Sequence, residues 1–239
     1  MITRIAFFCV LLFACAANGA EPLALLEAPG RGNLTPARAT PAVRAAEKAM
    51  PSIVNLAVIE RTGNRTSWGT GIILHESGLM VTAHHVVATA RRIKATLDDG
   101  TNLDALLIAA LPAEDLALLR LTTEKKLTPM MWGHSSESRL GETVLAIGNS
   151  FGRGTTVTQG ILSQKRGVVE LVDGQKFSDL MQSDASLHVG MSGGPLINLD
   201  GEMIGLNLFV RSDEYDISYS LATDRIKASV AKLMAEAKP

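Results

Sequence analysis

Ser192 lies among glycines in residues 190–195, directly before an apolar pair at 196–197. A serine hydroxyl becomes an effective nucleophile only when a base removes its proton and nearby N–H groups stabilise the resulting oxyanion. Glycine lacks Cβ, so the glycines of this segment allow a sharp turn that directs two amides to one point. The segment could support acyl transfer if a base and an acid accompany the serine, because Gly-Ser-Gly sequences also form ordinary turns.

Two upstream segments offer these partners. Residues 81–87 contain His84 and His85, and residues 115–121 begin with Asp115. Histidine suits the base because its pKa lies near neutrality, and a buried carboxylate holds the imidazole in the required tautomer. The order His, Asp, Ser is that of chymotrypsin-type double barrels, whereas subtilisin-type and α/β-hydrolase chains use other orders. The pattern predicts a catalytic triad but leaves open which histidine is the base.

The first 20 residues predict an export signal, with Arg4 as its basic start and 5–17 as its apolar core. That core is shorter than the roughly 18 residues of a membrane-spanning helix, although a retained anchor stays an alternative. Both cysteines, Cys9 and Cys15, lie in this leader, so the mature chain would lack thiols and disulfides. We expect an exported protein, periplasmic or secreted, with membrane attachment only if Cys15 is lipidated.

Composition argues against several other functions. The chain carries 23 basic and 24 acidic residues, which gives no electrostatic basis for binding nucleic acid. Its five histidines show no HExxH or similar spacing. We therefore expect no nucleic acid partner, no metal and no cofactor.

Short strands are expected to position the candidate residues. Residues 21–40 are rich in Pro, Gly and Ala and predict a flexible linker, and Thr40 and Pro41 begin a short helix that ends at Met50. Many short strands separated by turn signals favour barrels or sandwiches over βαβ units. A terminal helix is predicted over 228–237. The predicted strands are 52–59, 68–74, 78–82, 92–97, 102–109, 116–121, 143–147, 155–163, 180–183, 195–198, 203–208 and 217–222.

Residues 127–141, which include proline, glycine and several serines, predict the bridge between two barrels. The first barrel would span about residues 50–126 and the second about 140–223. The histidine pair and the aspartate then belong to the first barrel and the serine to the second. An active site would lie in the cleft between them.

These motifs resemble those of the HtrA/Deg family of trypsin-fold serine proteases, from about Ala42 to Ile226. The resemblance implies an all-β fold of two six-stranded antiparallel barrels with short terminal helices, forming a protease domain over 41–239. It also implies endoproteolysis of unfolded or damaged proteins outside the cytoplasm, usually by oligomers. The matching stretches are 68–73, 82–87, 115–119, 146–152, 158–163, 182–185, 190–195 and 201–207.

The same resemblance implies individual roles. His85 matches the base, Asp115 the acid that orients it and Ser192 the nucleophile, and the amides of Gly190 and Ser192 match the oxyanion hole. His84 fills the position before the base. If His84 were the base instead, His84→Ala would abolish activity and His85→Ala would not.

Three departures from the family pattern stand out. Met191 replaces the usual Asn before the nucleophile, and Val189 stands where many members carry a basic residue that couples activation loops to the oxyanion hole. No PDZ domain is expected in the few residues after Ile226. Trimers of the family rely on aromatic contacts in their N-terminal segments, and residues 21–50 here contain no Phe, Trp or Tyr. This absence weakens the case for a trimer and leaves another homo-oligomer open.

The same resemblance implies which residues select the substrate and which loops control activity. The position at the base of the primary pocket is the uncharged Ser186, so we expect cleavage after small or medium aliphatic residues rather than after Lys or Arg. Asp184 resembles a structural carboxylate of the family. No acidic residue precedes the serine, so activation by pairing of such an acid with a newly freed N-terminus is not expected. We instead expect loops 166–176 and 209–217 to control activity by becoming ordered. The predicted pocket residues are Ser186, Leu206, Asn207, Leu208, Ser218, Tyr219 and Ser220.

Two alternatives stay open. A catalytically inactive relative would bind peptides or a partner protein, and an esterase or other acyl hydrolase would use the same triad.

Overall fold

The computed structural model describes residues 37–62, 65–170, 176–210 and 217–236. The predicted signal peptide and most of the predicted linker lie outside these residues. Within them, twelve strands form two closed antiparallel barrels, which confirms the predicted fold class. The first barrel consists of β1 (Ile53–Glu60), β2 (Thr66–Ile73), β3 (Leu79–Ala83), β4 (Ala90–Leu97), β5 (Asn102–Leu111) and β6 (Leu116–Leu121). The second consists of β7 (Thr143–Asn149), β8 (Thr155–Glu170), β9 (Lys176–Ser183), β10 (Pro195–Ile197), β11 (Met203–Val210) and β12 (Ser218–Ala222).

Each barrel closes by pairing its first strand with a later one. Neighbouring strands follow the order β1-β2-β3-β6-β5-β4 in the first barrel and β10-β11-β12-β9-β8-β7 in the second. The alternation that predicted β1 reflects burial, since Val54, Leu56 and Val58 are completely buried. Closure leaves neither barrel with an open edge at which the other could add a strand. Contacts between the barrels therefore come from side chains and loops.

Three strands of the second barrel, β8, β9 and β11, extend further than predicted, which corrects the loop assignments at 166–176 and 209–217. β8 continues to Glu170 and β9 begins at Lys176, so only 171–175 of the first loop falls between them, outside the described residues. β11 continues to Val210, which leaves 211–216 outside as well. Apolar packing explains the extensions: Phe209 contacts Phe177 and Tyr219, with ring centroids 5.5 Å apart in each pair. Bulges in the β8–β9 ladder interrupt the alternation that would reveal this in the sequence.

Three helices complete the described part of the chain: α1 (Pro41–Ala49), α2 (His84–Val87) and α3 (Thr223–Glu236). The Thr40 hydroxyl accepts a hydrogen bond from Val43 N, so α1 begins with the predicted cap. Helix α2 was not predicted from the sequence. The predicted start of α3 is five residues late, because Asp224 was assigned to the chain before the helix, whereas it lies in the first turn. No helix of the described residues has the length and apolar character needed to cross a bilayer.

The N-terminus of α3 is tied to the segment that joins the barrels. Ser136 N donates to Asp224 Oδ2 at 2.9 Å, and Asp224 N donates to Ser135 Oγ at 3.1 Å. Burial alone would raise the pKa of Asp224, but hydrogen bonds from Ser136 and Ser135, with the charge of Lys227, lower it. The carboxylate also suits the first turn of a helix.

We expect Asp224→Asn to lower the free energy of unfolding by about 1 kcal/mol at pH 7, because the amide keeps an acceptor and loses the charge. Because the folded state lowers the pKa of Asp224, its stabilising contribution is complete above the ordinary carboxyl pKa and is lost as pH falls through the folded value. Urea denaturation between pH 7 and pH 3 measures this. The difference between wild type and variant should shrink below about pH 5.

The matched control is Asp98→Asn, which changes an exposed aspartate without a hydrogen-bond partner among the described residues. It should leave stability nearly unchanged across the same range. A difference for Asp224→Asn that stays constant down to pH 3 would contradict the role of its charge.

Candidate active site

His85 and Asp115 are brought together at one end of the first barrel. β3 ends at Ala83, directly before α2, and pairs with β6, so Ala83 lies opposite Leu116. His85 Nδ1 lies 2.6 Å from Asp115 Oδ2, and His85 N donates to Asp115 Oδ1 at 2.7 Å. The Asp115 side chain is 10% exposed and the His85 side chain 50%. With Nδ1–H directed to the carboxylate, the imidazole keeps Nε2 as its free acceptor.

The backbone of Asp115 is held in an unusual conformation. Its φ of 51° and ψ of 43° lie in the left-handed region, which aspartate tolerates better than most residues. Asp115 N donates to Pro112 O, and Asp115 O accepts from His84 N at 2.9 Å. His84 thus contacts the aspartate through its backbone, and its ring makes no hydrogen bond among the described residues. Between the two histidines, the geometry selects His85 as the partner of the carboxylate.

Ser192 lies in a segment of the second barrel, residues 189–194, called the nucleophile segment below. Each of its first four carbonyls accepts a hydrogen bond. The pairs are Phe151 N to Val189 O at 2.7 Å, Thr70 Oγ1 to Gly190 O at 2.7 Å, Gly194 N to Met191 O at 3.1 Å, and Thr70 N to Ser192 O at 3.0 Å.

The amides of the nucleophile segment are only partly used. From 190 to 194, three of them donate: Met191 N to His188 O, Gly193 N to Asn207 O and Gly194 N to Met191 O. The other two, Gly190 N and Ser192 N, have no hydrogen-bond partner among the described residues. A trans peptide directs its N–H opposite to its C=O, so the bond from Phe151 to Val189 O turns Gly190 N–H away from Phe151. This pattern provides two donors beside the Ser192 side chain.

Close contacts explain two of the glycines in the nucleophile segment. Gly190 has φ +95°, and a Cβ there would lie 2.2 Å from Asn149 O. Gly193 has φ +84°, and its Cβ would lie 2.2 Å from Thr82 Oγ1 and 2.9 Å from Ala83 N. The nucleophile segment therefore packs directly against the end of β3, from which the chain continues to the histidine.

The Ser192 hydroxyl does not contact the imidazole. Ser192 Oγ donates to Leu208 O at 2.8 Å, and it makes no hydrogen bond with His85 in the described part of the chain. The carboxylate–imidazole contact is thus formed while the imidazole–hydroxyl contact is not. Catalytic hydrogen bonds without substrate are often long or poorly aligned, and rotation about one single bond redirects a serine hydroxyl.

The predicted pocket residues lie mainly on β11 and β12, which are neighbouring strands. Leu206 and Leu208 are completely buried, and Ser218 and Tyr219 nearly so. Other predicted pocket residues are engaged within the barrel: Asn207 Nδ2 donates to Pro195 O at 3.0 Å, Asn207 Oδ1 accepts from Ser220 Oγ at 3.0 Å, and Ser186 O accepts from Thr158 Oγ1 at 2.8 Å.

Ser186 itself is exposed, and the nearby Asp184 accepts a hydrogen bond from Ile161 N at 2.6 Å. The Asp184 carboxylate is therefore engaged by β8. Within the described residues, no group of three His, Cys, Asp or Glu side chains is placed to hold a metal ion.

Thr70 and Phe151, which hold the nucleophile segment from outside, and Asn149, which donates to the Thr70 hydroxyl, were not predicted as site residues from the sequence. A signal existed at Thr70, since it stands between Gly69 and Gly71 within a strand. Glycine inside a strand marks close approach of another group. A Cβ at Gly69 would lie 2.2 Å from the side chain of Val86, and one at Gly71 would lie 2.3 Å from that of Met80.

Comparison with known proteins agrees with this geometry. A family model described as "Trypsin-like peptidase domain" matches residues 69–206. The chain is 35% identical over 189 residues to a "Probable periplasmic serine endoprotease DegP-like" of Rickettsia conorii, covering 77% of this chain and 37% of that protein. It is 38% identical over 191 residues to "Serine protease HTRA1B" of Danio rerio, covering 78% and 40%.

Among solved structures, "HtrA-type protease AlgW with tripeptide" superposes with a TM-score of 0.75 at 32% identity, covering 82% of this chain and 64% of that one. The chain spans well under half the length of the two curated relatives. These matches confirm the resemblance that the motifs indicated. The chain belongs to the trypsin-like peptidase family, within which it is similar to the HtrA-type proteases.

Proposed function

We propose that this chain is a serine endopeptidase with His85 as base, Asp115 as its orienting acid and Ser192 as nucleophile. The observation that carries the proposal is the hydrogen bonding of the nucleophile segment, in which two amides beside Ser192 are left unpaired among the described residues. An oxyanion hole needs such a pair of donors, oriented before the reaction begins.

The reaction follows from these roles. Ser192 Oγ bonds to the carbonyl carbon of the scissile peptide while His85 Nε2 takes its proton, and the carbonyl oxygen becomes an oxyanion bound by Gly190 N and Ser192 N. His85 then gives the proton to the leaving amine as the peptide C–N bond breaks, which leaves an acyl-enzyme. Water then bonds to the acyl carbon as the same imidazole takes its proton, the bond from that carbon to Ser192 Oγ breaks, and the imidazole returns the proton to Ser192 Oγ. Asp115 stabilises the imidazolium at both stages.

In this mechanism the Ser192 hydroxyl must leave Leu208 O before it reacts. The bond to Leu208 is a single neutral hydrogen bond, so its exchange for a bond to His85 has a small net free-energy change, on the order of 1 kcal/mol. The pairing of β11 with β10 and with the nucleophile segment ends at Asn207, so a substrate strand could lie along residues 208–210 of β11 and would compete for the same carbonyl region. We infer that substrate binding and serine rotation occur together.

We further propose that the substrates are unfolded or damaged polypeptides outside the cytoplasm. Relatives from Rickettsia and Chlamydia are named probable periplasmic serine endoproteases, which supports export of this chain as well. The uncharged Ser186 supports cleavage after small or medium aliphatic residues rather than after Lys or Arg.

A specific observation favours a second candidate, a catalytically inactive protein that binds peptides. That observation is the bond from Ser192 to Leu208 O in place of one to His85. The two candidates differ in whether the serine reacts at all, which the first test below decides.

For the first test, wild type is treated with a fluorophosphonate probe and with unfolded casein. We expect labelling and cleavage, both lost in Ser192→Ala. Asp115→Asn should lower kcat roughly 10⁴-fold, since asparagine keeps the backbone conformation but favours the wrong imidazole tautomer. His84→Ala serves as the control for His85→Ala and should keep most of the activity. If the wild type is folded, is not labelled by the probe and cleaves casein no faster than Ser192→Ala, the endopeptidase proposal fails and the inactive peptide-binding protein becomes the favoured candidate.

For the second test, a peptide library reports the residue before the cut. We expect Val, Ala and Leu to dominate, because Ser186 at the proposed pocket base carries no charge to bind a basic side chain. Ser186→Asp should raise cleavage after Arg at least about tenfold by supplying that charge. Wild-type cleavage mainly after Arg, or no change in Ser186→Asp, would contradict the assignment of the pocket base.

A further inference from the structure

Thr70 of β2 joins the first barrel to the nucleophile segment of the second. The residue is completely buried, and all of its polar groups are bonded. Its hydroxyl donates to Gly190 O and accepts from Asn149 N, its amide donates to Ser192 O, and its carbonyl accepts from Thr82 Oγ1. These four distances are 2.7, 2.8, 3.0 and 2.6 Å.

The hydroxyl of Thr70 acts on the residue whose orientation matters most. Gly190 has φ +95° and no side chain, so nothing intrinsic to it selects this conformation. Two hydrogen bonds hold it from outside, one on each side of its Cα: Phe151 N on Val189 O, and Thr70 Oγ1 on Gly190 O. Because the hydroxyl also accepts from Asn149 N, Thr70 supports the strand end that leads to Phe151.

We propose that Thr70 is a positioning residue for the oxyanion hole: its hydroxyl holds Gly190 so that the Gly190 amide points to the developing negative oxygen. The proposal rests on the proposed function and adds a residue outside the triad and the amide pair. The first barrel then has a second role besides carrying the base, because the side chain of Thr70 sets the geometry of a catalytic donor, the Gly190 amide, in the second barrel.

The proposal requires a hydroxyl rather than a particular shape. A hydroxyl both donates and accepts, as the Gly190 carbonyl and the Asn149 amide together demand. Valine has nearly the same volume but would leave both groups buried without a partner, a state that the backbone relieves by rotating. Serine keeps the hydroxyl and removes only a methyl group.

The test compares Thr70→Val, Thr70→Ser and a matched control, Thr223→Val. Thr223 is also completely buried and donates to a backbone carbonyl, Met203 O at 3.0 Å, but it makes no contact with the nucleophile segment. Steady-state kinetics on one peptide substrate are measured with urea denaturation. Hydrogen exchange of peptides covering residues 188–193 is followed in parallel.

We expect Thr70→Val to lower kcat on the order of 10²-fold while KM changes less than about threefold, the pattern of a lost transition-state donor. Thr70→Ser should recover most of the kcat, and Thr223→Val should reduce stability while kcat stays within about threefold of wild type. Equal losses of kcat in Thr70→Val and Thr223→Val, or a change confined to KM, would overturn the proposal and leave the proposed function intact.

Hydrogen exchange distinguishes a failure of the Thr70 proposal from a failure of the proposed function. It also remains informative if Thr70→Val is too unstable for kinetics. Inactivity of the wild type would end the proposed function. Faster exchange at 188–193 in Thr70→Val, but not in Thr223→Val, would then still support the structural role of the hydroxyl. Unchanged exchange in a folded Thr70→Val protein would overturn that role, whatever the activity.

Discussion

Hydrogen bonds from outside the nucleophile segment determine how this site is built. Most of the segment turns too sharply to join a strand ladder, yet Gly190 and Met191 are buried and their carbonyls need partners. The end of the segment pairs with β11, since Gly193 N donates to Asn207 O and Asn207 N donates to Gly194 O. Thr70 and Phe151 supply donors to the carbonyls before it. Two amides remain, and they are the two that acyl transfer can use.

The proposed catalytic groups are divided between the two barrels, and they can act together because these hydrogen bonds join the first barrel to the nucleophile segment. The first barrel holds imidazole and carboxylate together through two hydrogen bonds, with Asp115 in a left-handed conformation. Helix α3 steadies the same region, because Arg225 Nη2 pairs with Glu114 Oε1 at 2.6 Å and Ser229 also bonds to that carboxylate. The second barrel carries the serine. Neither barrel alone contains a base, a nucleophile and an oxyanion hole.

Sequence periodicity and glycine placement predict most of this architecture, because strand alternation and turn chemistry are local properties. They predict all twelve strands. Residue types and their order in the chain point to Ser192, Asp115 and the pair His84 and His85, and only the resemblance to the HtrA/Deg family implies His85 as the base. They miss the ends of β8 and β11, where bulges and packing of Phe177 and Phe209 extend the ladders beyond the local pattern. The role of Thr70 and the bond from Ser192 to Leu208 O depend on how two barrels meet, and no local pattern encodes that contact.

A crystal structure of the protein with a peptide boronic acid would show the reacting geometry, since a boronate adduct resembles the tetrahedral intermediate. The proposed mechanism predicts a bond from boron to Ser192 Oγ, with one boronate oxygen within about 3 Å of both Gly190 N and Ser192 N. It also predicts that Thr70 Oγ1 stays bonded to Gly190 O. An adduct whose oxygens avoid both amides, or a Ser192 hydroxyl still bonded to Leu208 O at saturating inhibitor, would contradict the account.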